Sequence, residues 1–211
     1  MLKKAIFGVF LVLMAGAATE RAFAQGAAGQ RMAPADQIRV RRFIGVRNTR
    51  SATPVYQTNQ GGGVKRAQDW YVISVIYDSA PDWIDDLLVQ FHVLTMKPDP
   101  QTRQNVYSLF KKQVRYGDIE RGRDHRAMAF LRPAAVKRYG DVVASAAILT
   151  VEGTVVDEQS ETSIDLPEFW WRNELVLNNP RVELTVREGY LLNRKESPWM
   201  LVNPDDYEVI K

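Results

Sequence analysis

Apolar residues recur at every second position along much of this chain, and a period of two marks strands with one buried face. Ile38, Val40 and Arg42 alternate with Arg39, Arg41 and Phe43, which predicts a half-exposed strand. Residues 70–77 (WYVISVIY) are apolar on both faces and rich in β-branched types, so they predict a central strand. In residues 87–96, Leu87, Val89, Phe91 and Val93 share one face, and Leu88, Gln90, His92 and Leu94 the other. Between these two strands, residues 78–86 carry Pro81 and two Asp-rich corners and read as a loop. Residues 105–116 form a further strand that ends at the turn-prone Gly117-Asp118, and a second turn is expected at Arg121-Gly122-Arg123. Residues 125–132 alternate again.

Pro133 then opens a short helix over 134–139 that Gly140 ends, proline inside the start and glycine past the end. Residues 142–156 read as one long strand with Gly153 as a bulge or bend. Val182, Leu184 and Val186 mark another strand, and 200–202 and 207–210 two short closing ones. Eight or nine strands with one brief helix, without internal repeats or alternating strand–helix units, predict an all-β fold. The expected architecture is a two-sheet β-sandwich, Ig-like in layout only, because the Cys…Trp…Cys signature is missing.

The start of the chain follows a different pattern. Lys3 and Lys4 precede an apolar run over 5–18, and Ala22-Phe23-Ala24 closes it with small residues flanking a large one. That order predicts a removable secretory signal over 1–24. The run is shorter than the roughly 20 residues a spanning helix needs, so no permanent transmembrane anchor is expected. The absence of cysteine excludes a lipoprotein anchor, disulfides and thiolate metal sites together. Residues 25–37 (QGAAGQRMAPADQ) are small, polar and aperiodic, and predict a flexible N-terminal arm ahead of one domain over 38–211. The leader holds three of the 28 basic and one of the 25 acidic residues, which leaves a nearly neutral mature chain and no demand for nucleic acid.

Candidate chemistry is sparse. The two histidines, His92 and His125, sit in separate strand patterns without metal-ligand spacing, and no nucleophile elbow is present. Neither a catalytic residue, a metal site nor a cofactor is expected, and the chain reads as non-enzymatic. Gly61, Gly62 and Gly63 lie in a long aperiodic loop over 50–65, a candidate contact loop; they lack the spacing of a phosphate loop. Trp170 and Trp171 are adjacent, and on a strand adjacent side chains face opposite ways, so one of the two indoles is expected near the surface unless a loop or second layer covers it; the alternative has both packed at an edge of the sandwich. With Trp83 they are candidate contacts for a protein partner or a sugar ring. Arg39, Arg41 and Arg42 form a candidate basic contact, or the charge that protects an edge strand.

The leader ending Ala22-Phe23-Ala24, the block 84–97 (IDDLLVQFHVLTMK) and the closing stretch 197–208 (SPWMLVNPDDYE) resemble a family of small exported proteins. That family is found with type IV pilus genes in verrucomicrobial gut bacteria and is similar to Ig-like β-sandwiches. The resemblance implies an exported protein of the envelope or cell surface (periplasmic, outer-membrane-associated or extracellular). Its partners would be other envelope or pilus-assembly proteins, and no enzymatic residue is carried over. The alternative expectation is a carbohydrate-binding module that uses exposed tryptophans.

Overall fold

The computed structural model describes residues 32–47, 49–54, 67–179, 183–202 and 207–208. The leader expected over 1–24 lies outside them, and so do Gly61, Gly62 and Gly63. A helical turn, α1 (Pro34–Gln37), leads into β1 (Ile38–Ile44). Then come β2 (Arg50–Ala52), β3 (Asp69–Ile84), β4 (Leu87–Pro98), β5 (Asn105–Tyr116) and β6 (Ile119–Leu131). Helix α2 (Pro133–Tyr139) is followed by β7 (Asp141–Val151) and β8 (Thr154–Thr162). A 3-10 turn at Trp170–Arg172, helix α3 (Glu174–Leu177), β9 (Glu183–Arg187) and β10 (Leu191–Leu192) complete the order.

The strands make two sheets. The first runs β1-β3-β6-β10, with β2 also paired to β3; the second runs β8-β7-β4-β5-β9. The chain crosses between them at residues 85–86, at Gly117-Asp118, through α2, and again between β9 and β10. This is the all-β two-sheet sandwich that the alternation predicts. Ile73, Val75 and Tyr77 of β3 and Ala127, Ala129 and Leu131 of β6 face Val89, Phe91 and Val93 of β4 and Phe110 and Val114 of β5, all in one buried cluster. Each of the Val, Leu, Ile and Phe side chains among them stabilises the fold by about 1.5–3 kcal/mol relative to exposure.

Several boundaries differ from the sequence pattern, each for a local reason. Residues 78–84 continue β3 rather than forming a loop; the ladder to β6 shifts register on both sides of Ser79, and Pro81 falls in the stretch that the shift leaves unpaired. Arg121-Gly122-Arg123 is not a turn but part of the same bulged region of β6, where Asp124 takes φ 59°. Residues 142–156 are two strands, not one. Glu152 (φ 49°) and Gly153 (φ 80°) both take positive φ, the condition for a two-residue hairpin turn whose twist matches its strands. Residues 200–202 form turns, because the chain there leaves the ladder after β10. The end of the expected arm, Pro34–Gln37, is helical, and Gln37 is buried with its side-chain amide donating to the Met32 carbonyl at 3.1 Å. The strand at β9 is parallel to β5, whereas every other pairing among the described strands is antiparallel.

The two sides of the sandwich are each closed by a glutamate. On one side Glu161 of β8 accepts from the backbone N–H groups of Gly45, Val46 and Arg47 at 3.0, 2.9 and 3.3 Å. Three consecutive donors converging on one carboxylate make an anion nest. A Cβ at Gly45 would collide with Ser145 Oγ, so only glycine lets this corner approach β7. On the other side the buried Glu208 accepts from the backbone N–H groups of Arg194 and Lys195 at 3.2 and 3.4 Å.

Candidate functional site

The two adjacent tryptophans are not a surface pair. Trp170 is 1% exposed and Trp171 6%. Strand alternation does not apply to them, because they sit in the 3-10 turn that follows Phe169, which takes the left-handed conformation (φ 54°, ψ 36°). Their rings meet edge to face at 5.9 Å and lie in a second apolar cluster on the outer face of the second sheet. That cluster contains Leu94 of β4, Leu109 of β5, and Ala144, Ala146 and Ile148 of β7. The small Ala144 and Ala146 leave room for large rings above them. Ile164, Leu166, Val176 and Leu177 pack around the indoles, so the segment 164–177 is a cap over this face. Arg172 ties the cap to β8 by an ion pair with Glu158 at 3.0 Å and covers the Phe169 ring at 4.1 Å. Asn173 Oδ1 accepts from the Leu175 N–H at 2.9 Å and starts α3. Neither indole can offer a free ring face to a ligand.

Trp83 stays a candidate. It is 56% exposed near the far end of β3, opposite Glu120, with the exposed pair Asp82 and Arg121 beside it. At the opposite end of the same sheet the sequence pattern missed an aromatic corner. Trp199 stacks on Phe130 at 4.9 Å and meets Trp70 edge-on at 5.5 Å, beside an open cleft of about 420 Å³ that Arg132 and Leu192 help to line. These rings come from three distant stretches of chain, so no local pattern signals the corner.

The basic strand is exposed as expected, with a phase change. A register shift between Val40 and Arg42 turns both Arg41 and Arg42 outward and brings Phe43 back against the core. Arg41 pairs with Asp78 at 3.5 Å; Arg39 and Arg42 are in no ion pair among the described residues. Across the outer face of the first sheet, Arg42, Ile76 and Arg126 form one row, and Ile44, Ser74 and Met128 the next. Ile44, Ile76 and Met128 are partly exposed, and Arg42 and Arg126 are exposed. Beside this face, an open cavity of about 300 Å³ between β1 and β8 is lined by Arg41, Arg42, Phe43, Gln159, Ser160 and Glu161.

The histidines have structural surroundings. His92 is buried under the cap side of the second sheet, its Nδ1 without a partner among the described residues. Burial, helped by the charge of Lys111, pushes its pKa down to about 4, so it is neutral at pH 7. His125 Nε2 lies 3.0 Å from Ser79 Oγ, a spacing that a nucleophile and its base would share. Here the buried Ser79 hydroxyl donates to the Glu120 carbonyl at 2.6 Å and accepts from the Gly122 N–H at 2.8 Å. It therefore pins the β3–β6 bulge and is not presented to a substrate. Burial lowers the His125 pKa, opposed by the Glu120 contact and by Asp78 and Asp124. No cluster of three or more metal-ligating side chains occurs among the described residues. No helix among them is long and apolar enough to cross a membrane.

A crystal structure of a protein from Akkermansia muciniphila, a verrucomicrobial bacterium, is similar to this chain. The two share a TM-score of 0.64 at 22% sequence identity, over 83% of this chain and 93% of that one. At that identity the likeness is one of fold. No curated protein matches the chain. A protein-family model matches residues 32–211, and the chain belongs to that family.

Proposed function

We propose that this chain is an exported, non-enzymatic interaction protein of a bacterial cell envelope, working through protein contacts around a type IV pilus-like assembly. The observation that carries the reading is the outer face of the first sheet. It combines partly exposed Ile44, Ile76 and Met128 with exposed Arg42 and Arg126, and Arg39 and Arg42, in no ion pair among the described residues, line its edge strand. An apolar centre with a cationic margin suits an acidic protein surface, whose carboxylates would pair with the arginines as water leaves the centre. The leader pattern over 1–24 supports export.

Purified chain tested against purified pilus components is expected to bind at least one of them, and Arg39→Glu with Arg42→Glu is expected to abolish that binding. Absence of binding to any such component, together with hydrolysis of a glycan by the purified chain, overturns the reading. Recovery of protein from cells with residues 1–24 still attached overturns the export. The glycan-binding alternative now rests on Trp83, the exposed ring. A glycan array that gives the same signal for wild type and Trp83→Ala removes it.

A further inference from the structure

Two connections between the sheets, α2 and the stretch between β9 and β10, meet at one corner of the sandwich. Arg138 and Tyr139 come from the last turn of α2, Arg187 from the end of β9, and Tyr190 from the bend after Gly189. Gly140 ends α2 at φ 93°, and a Cβ there would collide with the Met96 carbonyl, so the turn that presents Arg138 and Tyr139 requires glycine. Phe110, buried in the main core, makes the floor, with its ring 5.8 Å from Tyr139 and 5.9 Å from Tyr190. The two phenols meet edge to face at 5.3 Å, and the Tyr139 hydroxyl donates to the Tyr190 hydroxyl at 3.1 Å. Both guanidiniums converge on the same ring: the Arg187 carbon lies 4.8 Å and the Arg138 carbon 5.2 Å from the Tyr139 centroid.

Neither arginine is in an ion pair among the described residues, although other exposed arginines of the chain are. The buried Arg187 Nε has no hydrogen-bond partner there either. Lys97, whose ammonium donates to the Arg138 carbonyl at 3.2 Å, adds a third cation to the neighbourhood. Like charges brought together around a half-buried ring repel, and a buried donor without an acceptor costs free energy. An anion beside the two guanidiniums would relieve their repulsion.

We infer that Arg138, Arg187 and the Tyr139–Tyr190 hydroxyl pair form a binding site for an oxyanion group: a sulfate, a phosphate or a carboxylate. The guanidiniums supply charge-assisted donors, and the phenol pair supplies a further polar contact on a rigid aromatic floor. This corner involves none of the residues on the outer face of the first sheet that were assigned to protein contact, so the two assignments stand or fall separately.

The test is a titration with sodium sulfate, sodium phosphate and sodium acetate at constant ionic strength set by chloride, read by the NMR signals of the two tyrosine rings. A saturable shift with at least one of the three anions is expected, and the anion that gives it separates tetrahedral from carboxylate ligands. Arg187→Gln is expected to weaken that anion about tenfold, the loss of one charge-assisted contact. Where Arg187→Gln fails to fold by circular dichroism, the exposed Arg138→Gln is read in its place, with the same expected weakening. Arg123→Gln, on an exposed stretch of β6, is expected to bind as wild type does. No saturable shift with any of the anions, or the same affinity in wild type and the arginine variants, overturns the site.

Discussion

The outer faces of the two sheets have been given opposite fates. That of the second sheet carries Leu94, Leu109, Ala144, Ala146 and Ile148, and the chain folds its own segment 164–177 back to cover them. That of the first sheet carries Ile44, Ile76 and Met128 among Ser74, Arg42 and Arg126, and stays partly exposed. A continuous apolar face must be buried or it aggregates; a face that mixes charge with apolar side chains can stay in water and still bind. The difference separates stability, placed under the two indoles, from contact, placed on the arginine-edged face.

The comparison breaks most readily at Trp170. Truncating it to alanine removes a fully buried indole from the cap and is expected to destabilise the fold by about 3–5 kcal/mol. Urea unfolding measures this, and a loss below about 1 kcal/mol would mean that the cap is not part of the cooperative core.

His92, on the capped face, makes stability depend on pH. Its folded pKa of about 4 lies below the unfolded value of 6.5. The unfolded chain therefore binds the proton more readily, and the stability due to neutral His92 is full above pH 6.5 and is lost as the pH falls towards 4. The whole effect is about 3 kcal/mol at the acid end of that window. The difference between wild type and His92→Leu across pH 4–7 isolates it from the carboxylates that titrate in the same range. A pH-independent difference would contradict the burial of a neutral imidazole.

Much of this division is legible in the chain, and the rest is not for physical reasons. The alternation in β4 assigns Val89, Phe91 and Val93 to the inner core and Leu94 to the outer face, because a strand sends neighbours to opposite sides. Pro133 and Gly140 bracket α2 because each solves a backbone problem at its own position. The burial of both Trp170 and Trp171 fits the reading in which a second layer covers them; strand alternation fails there because one left-handed residue, Phe169, replaces the strand period with a tight turn. The bulges in β1, β3 and β6 shift phase by single residues without a strong composition signal. The β5–β9 pairing and the Arg138–Arg187 corner join residues far apart in sequence, and no local pattern carries them.

Smaller effects sharpen the picture. Glu161→Ala leaves three backbone N–H groups of the 45–47 corner without their acceptor and is expected to cost about 1–3 kcal/mol in thermal or urea unfolding. It should leave Trp170 fluorescence unchanged in the folded state, since the cap lies elsewhere. Smallest is Ile76→Asp on the open face. Outside the core, the change is expected to stay near the span of strand preference, about 1 kcal/mol.

The most direct test sets stability and pilus-component binding side by side in Trp170→Ala and Ile76→Asp, at a temperature where both are folded. The account predicts that Trp170→Ala loses stability and keeps the partner, while Ile76→Asp keeps stability and loses the partner. Retention of the partner by Ile76→Asp, or its loss by folded Trp170→Ala, would contradict the assignment of contact to the open face.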